Sequence, residues 1–304
     1  MDNLNGILLM VAAMAGFALE DMFIKLVAVE VPTGQILVML GWGGALVFGL
    51  WARAIRQRLF GAVMFTRPMW VRNLGEVLGT VSFVTAITLT PLSSASAIQQ
   101  ATPLAVTLGA ALFLAAPVGW RRWTAILVGF LGVLIVVRPG LSGFVPASLF
   151  AVAAVVGLAI RDLGTRVAPA AVSSIVLSAW GFAMVGIAGL VLLPFGARMV
   201  IPSPLALAGL TGALAVGVLG YYALTASVRI GDIATITPFR YTRLLFALTI
   251  GMTVFGERPD RWTLFGAAVI ILSGLYTILR EQRLRRRALD AANAPRAAAT
   301  RPAD

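Results

Sequence analysis

Residues 16–25 read GFALEDMFIK, and residues 157–166 read GLAIRDLGTR. Set 141 positions apart, the two stretches pair Gly16 with Gly157, Asp21 with Asp162 and Lys25 with Arg166. Residues 81–104 and 221–244 run in step at an offset of 140. Each copy holds five apolar spans, and an odd number forces the second copy to enter a membrane with the opposite orientation to the first. Inverted repeats of this kind are an architecture of secondary transport.

Composition supports a membrane solvent. Of the 304 residues 60% are hydrophobic and only 12% charged, outside the balance of a soluble domain. There is no Cys and no His, which excludes disulfides, thiol nucleophiles, Cys/His metal sites and imidazole chemistry. No metal and no cofactor is expected. The net charge of +12 is spread between apolar spans and in an Arg-rich tail rather than over one basic face, so it reads as topology and not as a nucleic-acid surface.

Ten spans approach the roughly 20 residues that cross a hydrocarbon core: 4–28, 33–54, 70–89, 92–115, 120–138, 145–165, 170–194, 204–228, 232–255 and 261–280. Their length and lack of alternation predict helices rather than a barrel. The expected fold is an all-α integral membrane protein with ten transmembrane helices in two inverted repeats, residues 1–140 and 141–281. Residues 282–304 follow as a basic, disordered tail near anionic lipid. With the N-terminus inside, one side collects Arg53, Arg56, Arg58, Arg67, Arg121, Arg122, Arg166, Arg229 and the tail arginines. The other side holds only Arg138, Arg198, Arg258 and Arg261. The positive-inside rule then puts both termini in the cytoplasm, with a bacterial inner membrane as the expected location. Span 1 starts beside Asp2 with no basic segment before it and no cleavage site after it, so it is expected to remain in place.

Charges inside spans are costly and commonly face a bundle interior or a water path. Those here are Lys25, Arg72, Arg161, Arg240, Arg243, Glu20, Asp21, Glu76 and Asp162. Spacing of i to i+4 predicts local pairs for Arg72 with Glu76, Asp21 with Lys25 and Asp162 with Arg166. Asp21 and Asp162 fall toward opposite ends of the pseudo-symmetric pair of halves and are gate candidates together with Arg161, which replaces Glu20 in the second copy. Arg240 and Arg243 lie about 12 and 17 Å from the start of span 9 at 1.5 Å per residue, opposite Gln100 and Pro103 of the first copy. Two arginines three residues apart share a helix face and suit a carboxylate, sulfonate or phosphate; the structural alternative is neutralisation by Glu20, Asp21 or Glu76. Trp42 and Trp180 occupy similar places in the two halves and, with Phe83, Tyr221, Tyr222, Phe239 and Tyr241, supply rings for an apolar wall or a cation–π cage. Pro103 and Pro238 are expected to interrupt spans 4 and 9.

GWRRWTAILVGFLGVLIVVRPG (residues 119–140) and TPFRYTRLLFALTIGMTVFGERPDRWTLFGAAVIILSGLYTILRE (residues 237–281) resemble the paired signatures of the EamA domain in the drug/metabolite transporter superfamily, over residues 4–281. The resemblance implies ten helices, cytoplasmic termini and a central cavity lined by spans 1, 3, 4, 6, 8 and 9. It implies substrates among amino acids, nucleosides, organic anions, cofactors and other small metabolites, often moved outward. Carried over, the cavity would include Glu20, Asp21, Glu76, Gln99, Gln100, Asp162, Tyr221, Tyr222, Arg240 and Arg243. The chain departs from the pattern at Ala116, where the second half has Glu257, and in QILVMLGW (residues 35–42), which lacks the arginine of related members.

The resulting expectation is a secondary transporter for a small polar metabolite with an anionic group (an amino acid, zwitterion or organic acid), working by alternating access. Arg240 and Arg243 would hold the anion; Glu20, Asp21 or Glu76 would take an ammonium group or a coupling proton. The competing reading is a cationic or quaternary-ammonium metabolite held by those carboxylates with Trp42 and Trp180. A non-transporting receptor or scaffold is the alternative of another class. An enzyme is not expected: without His and Cys mainly a carboxylate pair is left for catalysis, and the stretch from Arg229 to Asp232 does not match the GxGD pattern of intramembrane aspartic proteases. No phosphate-binding GxxxxGK[ST] loop is present, so primary pumping is not expected either.

Overall fold

A computed structural model of the chain describes residues 2–115, 119–141, 143–167, 172–230 and 236–299. Ala116 and Asp232 lie outside the described residues, as does the side chain of Arg166. Among the described residues all regular structure is helical: α1 (Asp2–Val27), α2 (Thr33–Ala54), α3 (Arg67–Leu89), α4 (Leu92–Gln99), α5 (Thr102–Phe113), α6 (Trp120–Val137), α7 (Ser148–Arg166), α8 (Ser174–Leu192), α9 (Pro204–Ile230), α10 (Thr242–Val254) and α11 (Arg261–Ala299), with short 3₁₀ turns at Ala62–Phe65, Leu193–Phe195 and Thr237–Tyr241.

Among these residues seven helices are long and apolar enough to cross a membrane, namely Leu4–Val27, Thr33–Ala54, Trp120–Val137, Ser148–Thr165, Ser174–Phe195, Pro204–Leu224 and Arg261–Arg280. The other three expected spans differ for identifiable reasons. Span 3 is continuous as α3 but carries Arg72 and Glu76 in its first turns. Span 4 is broken between Gln99 and Thr102, with Pro103 in the first turn of α5. Span 9 reaches α10 through the 3₁₀ turn that contains Pro238. Proline lacks an N–H and clashes with the carbonyl four residues back, so the helix has to restart at it. Both restarts are built alike: Thr102 Oγ1 donates to the Gln99 carbonyl and Thr242 Oγ1 to the Phe239 carbonyl, each at 2.7 Å. Among the described residues α11 runs on through the stretch 282–299 to Ala299. Its run of Arg, Ala and Leu has high helix propensity and extends a helix already nucleated.

The bundle is inside out relative to a soluble protein. Leu46, Leu74, Leu127, Leu219, Leu245 and Leu272 are exposed on its surface, while Asp21, Arg72, Glu76 and Gln100 are buried. That distribution suits hydrocarbon around an interior that carries the polar groups.

Helices of the two halves pack chiefly on each other: α1 on α9, α7 on α3, α2 on α8 and α6 on α11. Exchanging the repeats turns the first pair into the second and returns each of the others to itself. Gly157 lies so close to α3 that a Cβ there would fall 2.6 Å from the Gly79 Cα, and at Gly16 the corresponding distance is 3.2 Å to the Gly220 Cα. Small residues permit such close crossings. Gly79 and Gly220 are themselves 141 apart, so the two crossings share one register.

Candidate functional site

The charged residues within the spans gather into three groups along the bundle. At the end formed by the last turns of α1, α3 and α10, Lys25 Nζ donates to the Thr90 carbonyl at 2.6 Å and approaches Glu257 Oε1 at 3.3 Å. Glu257 also accepts from the backbone N–H groups of Leu92 (2.6 Å) and Ser93 (3.0 Å), which open α4. An acid at a helix N-terminus satisfies orphan donors and meets the positive end of the dipole. Burial acts to raise the Glu257 carboxyl, but the bonds from Ser93 and Leu92 and the charge of Lys25 outweigh it and hold the group below its ordinary range. This cross-link corrects the expected pairing of Asp21 with Lys25. Lys25 reaches over to the other half because the α10–α11 connection delivers a carboxylate that also needs the α4 amides.

Asp21 turns to Arg243, with Nη2 to Oδ2 at 2.7 Å. The guanidinium also stands 5.5 Å from the Phe17 ring and 5.4 Å from the Phe83 ring, a cation–π geometry. Its Nε is buried without an acceptor. Glu20, the neighbour of Asp21, makes no hydrogen bond or ion pair among the described residues and lies against Gly217 of α9. Arg240, half-buried on the 3₁₀ turn before α10, is also without a bond or ion pair among the described residues. Gln99 and Gln100, at the break between α4 and α5, are buried, and Gln99 Oε1 has no donor.

The third group joins α3 to α7. Glu76 lies 3.4 Å from both Arg72 and Arg161, and Arg161 grips Asp162 through Nε at 2.9 Å and Nη2 at 2.8 Å. Arg72 further donates to Asn73 Oδ1 and the Leu177 carbonyl. The expected pairing of Arg72 with Glu76 is present, and Asp162 pairs with its neighbour. Two arginines and two carboxylates make this group neutral.

The nominated aromatics divide differently. Trp42 is 46% exposed and packs beside Gly186. Trp180 donates to the Leu59 carbonyl at 2.8 Å and meets Phe60 and Phe65 edge-on. Tyr221 packs with Phe48 and Phe182, and Tyr222 lies outward against Trp51. None of these four rings is stacked on Arg243; Phe17, which the sequence reading passed over among many apolar residues, and Phe83 are. Glu257 and Gly217 were likewise missed as partners of Lys25 and Glu20, since neither contact has a sequence signature. Two clefts of about 340 and 220 Å³ open elsewhere, between α6 and α11 and among α5, α6 and α7, and neither is lined by the charged groups.

Comparison with known proteins finds transporters. The chain is 28% identical over 217 residues to an S-adenosylmethionine uptake transporter of Rickettsia felis, covering 70% of this chain and 72% of that one. It is 29% identical over 251 residues to a riboflavin transporter of Rhizobium johnstonii, covering 81% of each. It is 29% identical over 282 residues to a pseudopaline exporter of Pseudomonas aeruginosa, covering 88% and 94%. A solved crystal structure shares the fold with a TM-score of 0.56 at 18% identity, over 88% of this chain and 98% of that one. The EamA-like transporter family profile matches twice, over residues 4–138 and 145–280. The chain therefore belongs to the EamA-like transporter family of the drug/metabolite transporter superfamily, and is an integral membrane transporter rather than an enzyme.

Proposed function

We propose that this transporter moves a small polar metabolite bearing an anionic group by alternating access. In this reading ten membrane segments form two inverted units, residues 1–140 and 141–281, in a bacterial inner membrane with both termini cytoplasmic. The observation that carries it is the pair of arginines flanking the helix restart before α10. The Arg240 side chain makes no hydrogen bond or ion pair among the described residues and acts only electrostatically on Tyr241, and Arg243 keeps a buried Nε–H without an acceptor while Asp21 takes Nη2. A charge left unsatisfied at mid-span costs roughly 2.5–3.5 kcal/mol on insertion scales, and an incoming carboxylate or phosphate relieves it with charge-assisted bonds. The relatives named for S-adenosylmethionine, riboflavin and pseudopaline support an organic metabolite as cargo.

The two outer charge groups act as gates in this scheme. Lys25, Glu257 and the start of α4 close the periplasmic end, and the Arg72, Glu76, Arg161 and Asp162 network closes the path toward the cytoplasm. A second reading, a purely cationic cargo, is favoured by one observation: Asp21 already occupies part of Arg243. A thermal-shift screen of amino acids, organic acids, nucleotides and quaternary amines separates the two, since a ligand that binds the folded state stabilises it. Stabilisation by carboxylate- or phosphate-bearing compounds, lost in Arg240→Gln and Arg243→Gln, is expected. Stabilisation by quaternary amines alone, retained in both variants, would overturn the anion reading.

A further inference from the structure

The shared register of the two glycine crossings allows α1 on α9 to be compared position by position with α7 on α3. Where Arg161 of α7 faces Glu76 of α3 at 3.4 Å, the equivalent residues are Glu20 of α1 and Gly217 of α9, each 141 positions away. One copy has an ion pair. The other has a carboxylate facing a residue with no side chain, and a Cβ at Gly217 would stand 2.6 Å from Glu20 Oε1. The duplication has thus inverted the charge on one helix and deleted its partner on the other.

The surrounding carboxylates are committed elsewhere. Asp21 holds Arg243, and Glu76 is shared by Arg72 and Arg161. Of the three carboxylates nominated for a positive group, only Glu20 is unpaired among the described residues. With Asp21 bonded to Arg243, two charged side chains on α1 and on the turn before α10 keep no hydrogen bond or ion pair among the described residues: the Glu20 carboxylate, which feels Arg243 only through its field, and the Arg240 guanidinium, which acts in the same way on Tyr241. A ligand carrying one charge of each sign satisfies both.

We infer that Glu20, seated over Gly217, receives an ammonium or quaternary ammonium group of the cargo while Arg240 and the free edge of Arg243 hold its anion, so that the cargo is a zwitterion. This rests on the anion reading above and narrows it. An anion-only compound leaves Glu20 unsatisfied, and a cation-only compound leaves Arg240 so. Gly217 matters because any side chain there pushes the carboxylate from its seat.

The test uses the full-length protein in detergent and a panel of matched compounds: α-amino acids and betaines, their deaminated carboxylates, and their decarboxylated amines. Binding is read by thermal shift and then by titration calorimetry. Zwitterions are expected to bind and to lose affinity about 10-fold or more in Glu20→Gln, as a charged hydrogen-bonding partner is lost. Gly217→Ala is expected to do the same with the carboxylate still present, which covers the case in which Glu20→Gln does not fold. Deaminated carboxylates should bind weakly and indifferently to Glu20→Gln, while remaining sensitive to Arg240→Gln. Deaminated carboxylates binding as tightly as their parent zwitterions, or zwitterions binding unchanged to both α1 and α9 variants, would overturn the inference and leave the anion reading standing; the second result would make a proton the occupant of Glu20. Insensitivity to Arg240→Gln and Arg243→Gln would overturn the anion reading itself. A panel with no zwitterion bound overturns the inference outright.

Discussion

Replacing Glu257 with Gln should open the end of the bundle that Lys25 closes. The native carboxylate accepts two backbone N–H bonds from the start of α4 and faces the Lys25 ammonium. A bond to a charged group contributes about 1.5–3 kcal/mol and a neutral one about 0.5–1.5; glutamine keeps one good acceptor and no charge. The net loss is about 2 kcal/mol, and at 1.36 kcal/mol per decade the population with this end open rises about 30-fold. The chain has no cysteine, so a single reporter carries no background. Ser96→Cys suits the purpose, being buried one turn along α4 from the latch with its Oγ unpartnered. Labelling by a membrane-impermeant methanethiosulfonate added from outside should accelerate about 30-fold when Glu257→Gln is added, if opening limits the rate. A rate within twofold of the parent, in a variant with the parent's elution profile and melting temperature, would refute the latch.

Removing one partner of the Asp21–Arg243 pair should cost about 3–5 kcal/mol of stability, with Asp21→Asn plus Arg243→Gln together costing less than the two singly, because a lone buried charge is worse than none; melting curves of the three variants check this. Gly157→Ala should lower the melting temperature more than Gly16→Ala, since the added methyl comes as close as 2.3 Å to backbone in the first case and 3.1 Å in the second, and overpacking costs about 1–3 kcal/mol. Asp260 donates no proton to its surroundings but accepts from Arg138, which pairs the end of α6 with the start of α11, and from the Thr263 N–H. The Arg138 bond, ahead of a smaller opposing effect of burial, pushes its carboxyl from 3.8 down to about 2. A depressed acid stabilises the folded state above its unfolded value and loses that contribution as pH falls from about 4 to about 2. Arg138→Gln should therefore be least stable relative to the parent at neutral pH, with the difference shrinking across that interval in acid melts.

Much of the helical architecture was legible because membrane solvent constrains it strongly. Apolar length marked the seven spanning helices, and Pro103 and Pro238 marked the restarts. What the sequence could not disclose is pairing across the repeats. Asp21 and Lys25 are correctly spaced for each other on one helix, yet Arg243 and Glu257 lie more than 200 positions away and offer better-satisfied partners. Trp42 and Trp180 looked equivalent by position, but one faces outward and the other caps a loop carbonyl, since facing direction depends on which neighbour each helix meets.

By itself, then, the sequence determined the solvent, the helical elements, the duplication and the short set of charges that have no place in lipid. Those follow from local composition and period. Only the tertiary structure decided which of the charges cancel and which remain, leaving Glu20 over Gly217 and Arg240 at the helix restart. Coulomb energy falls with distance in space and is indifferent to distance along the chain, so this assignment waits on the packing of α1 against α9 and α10.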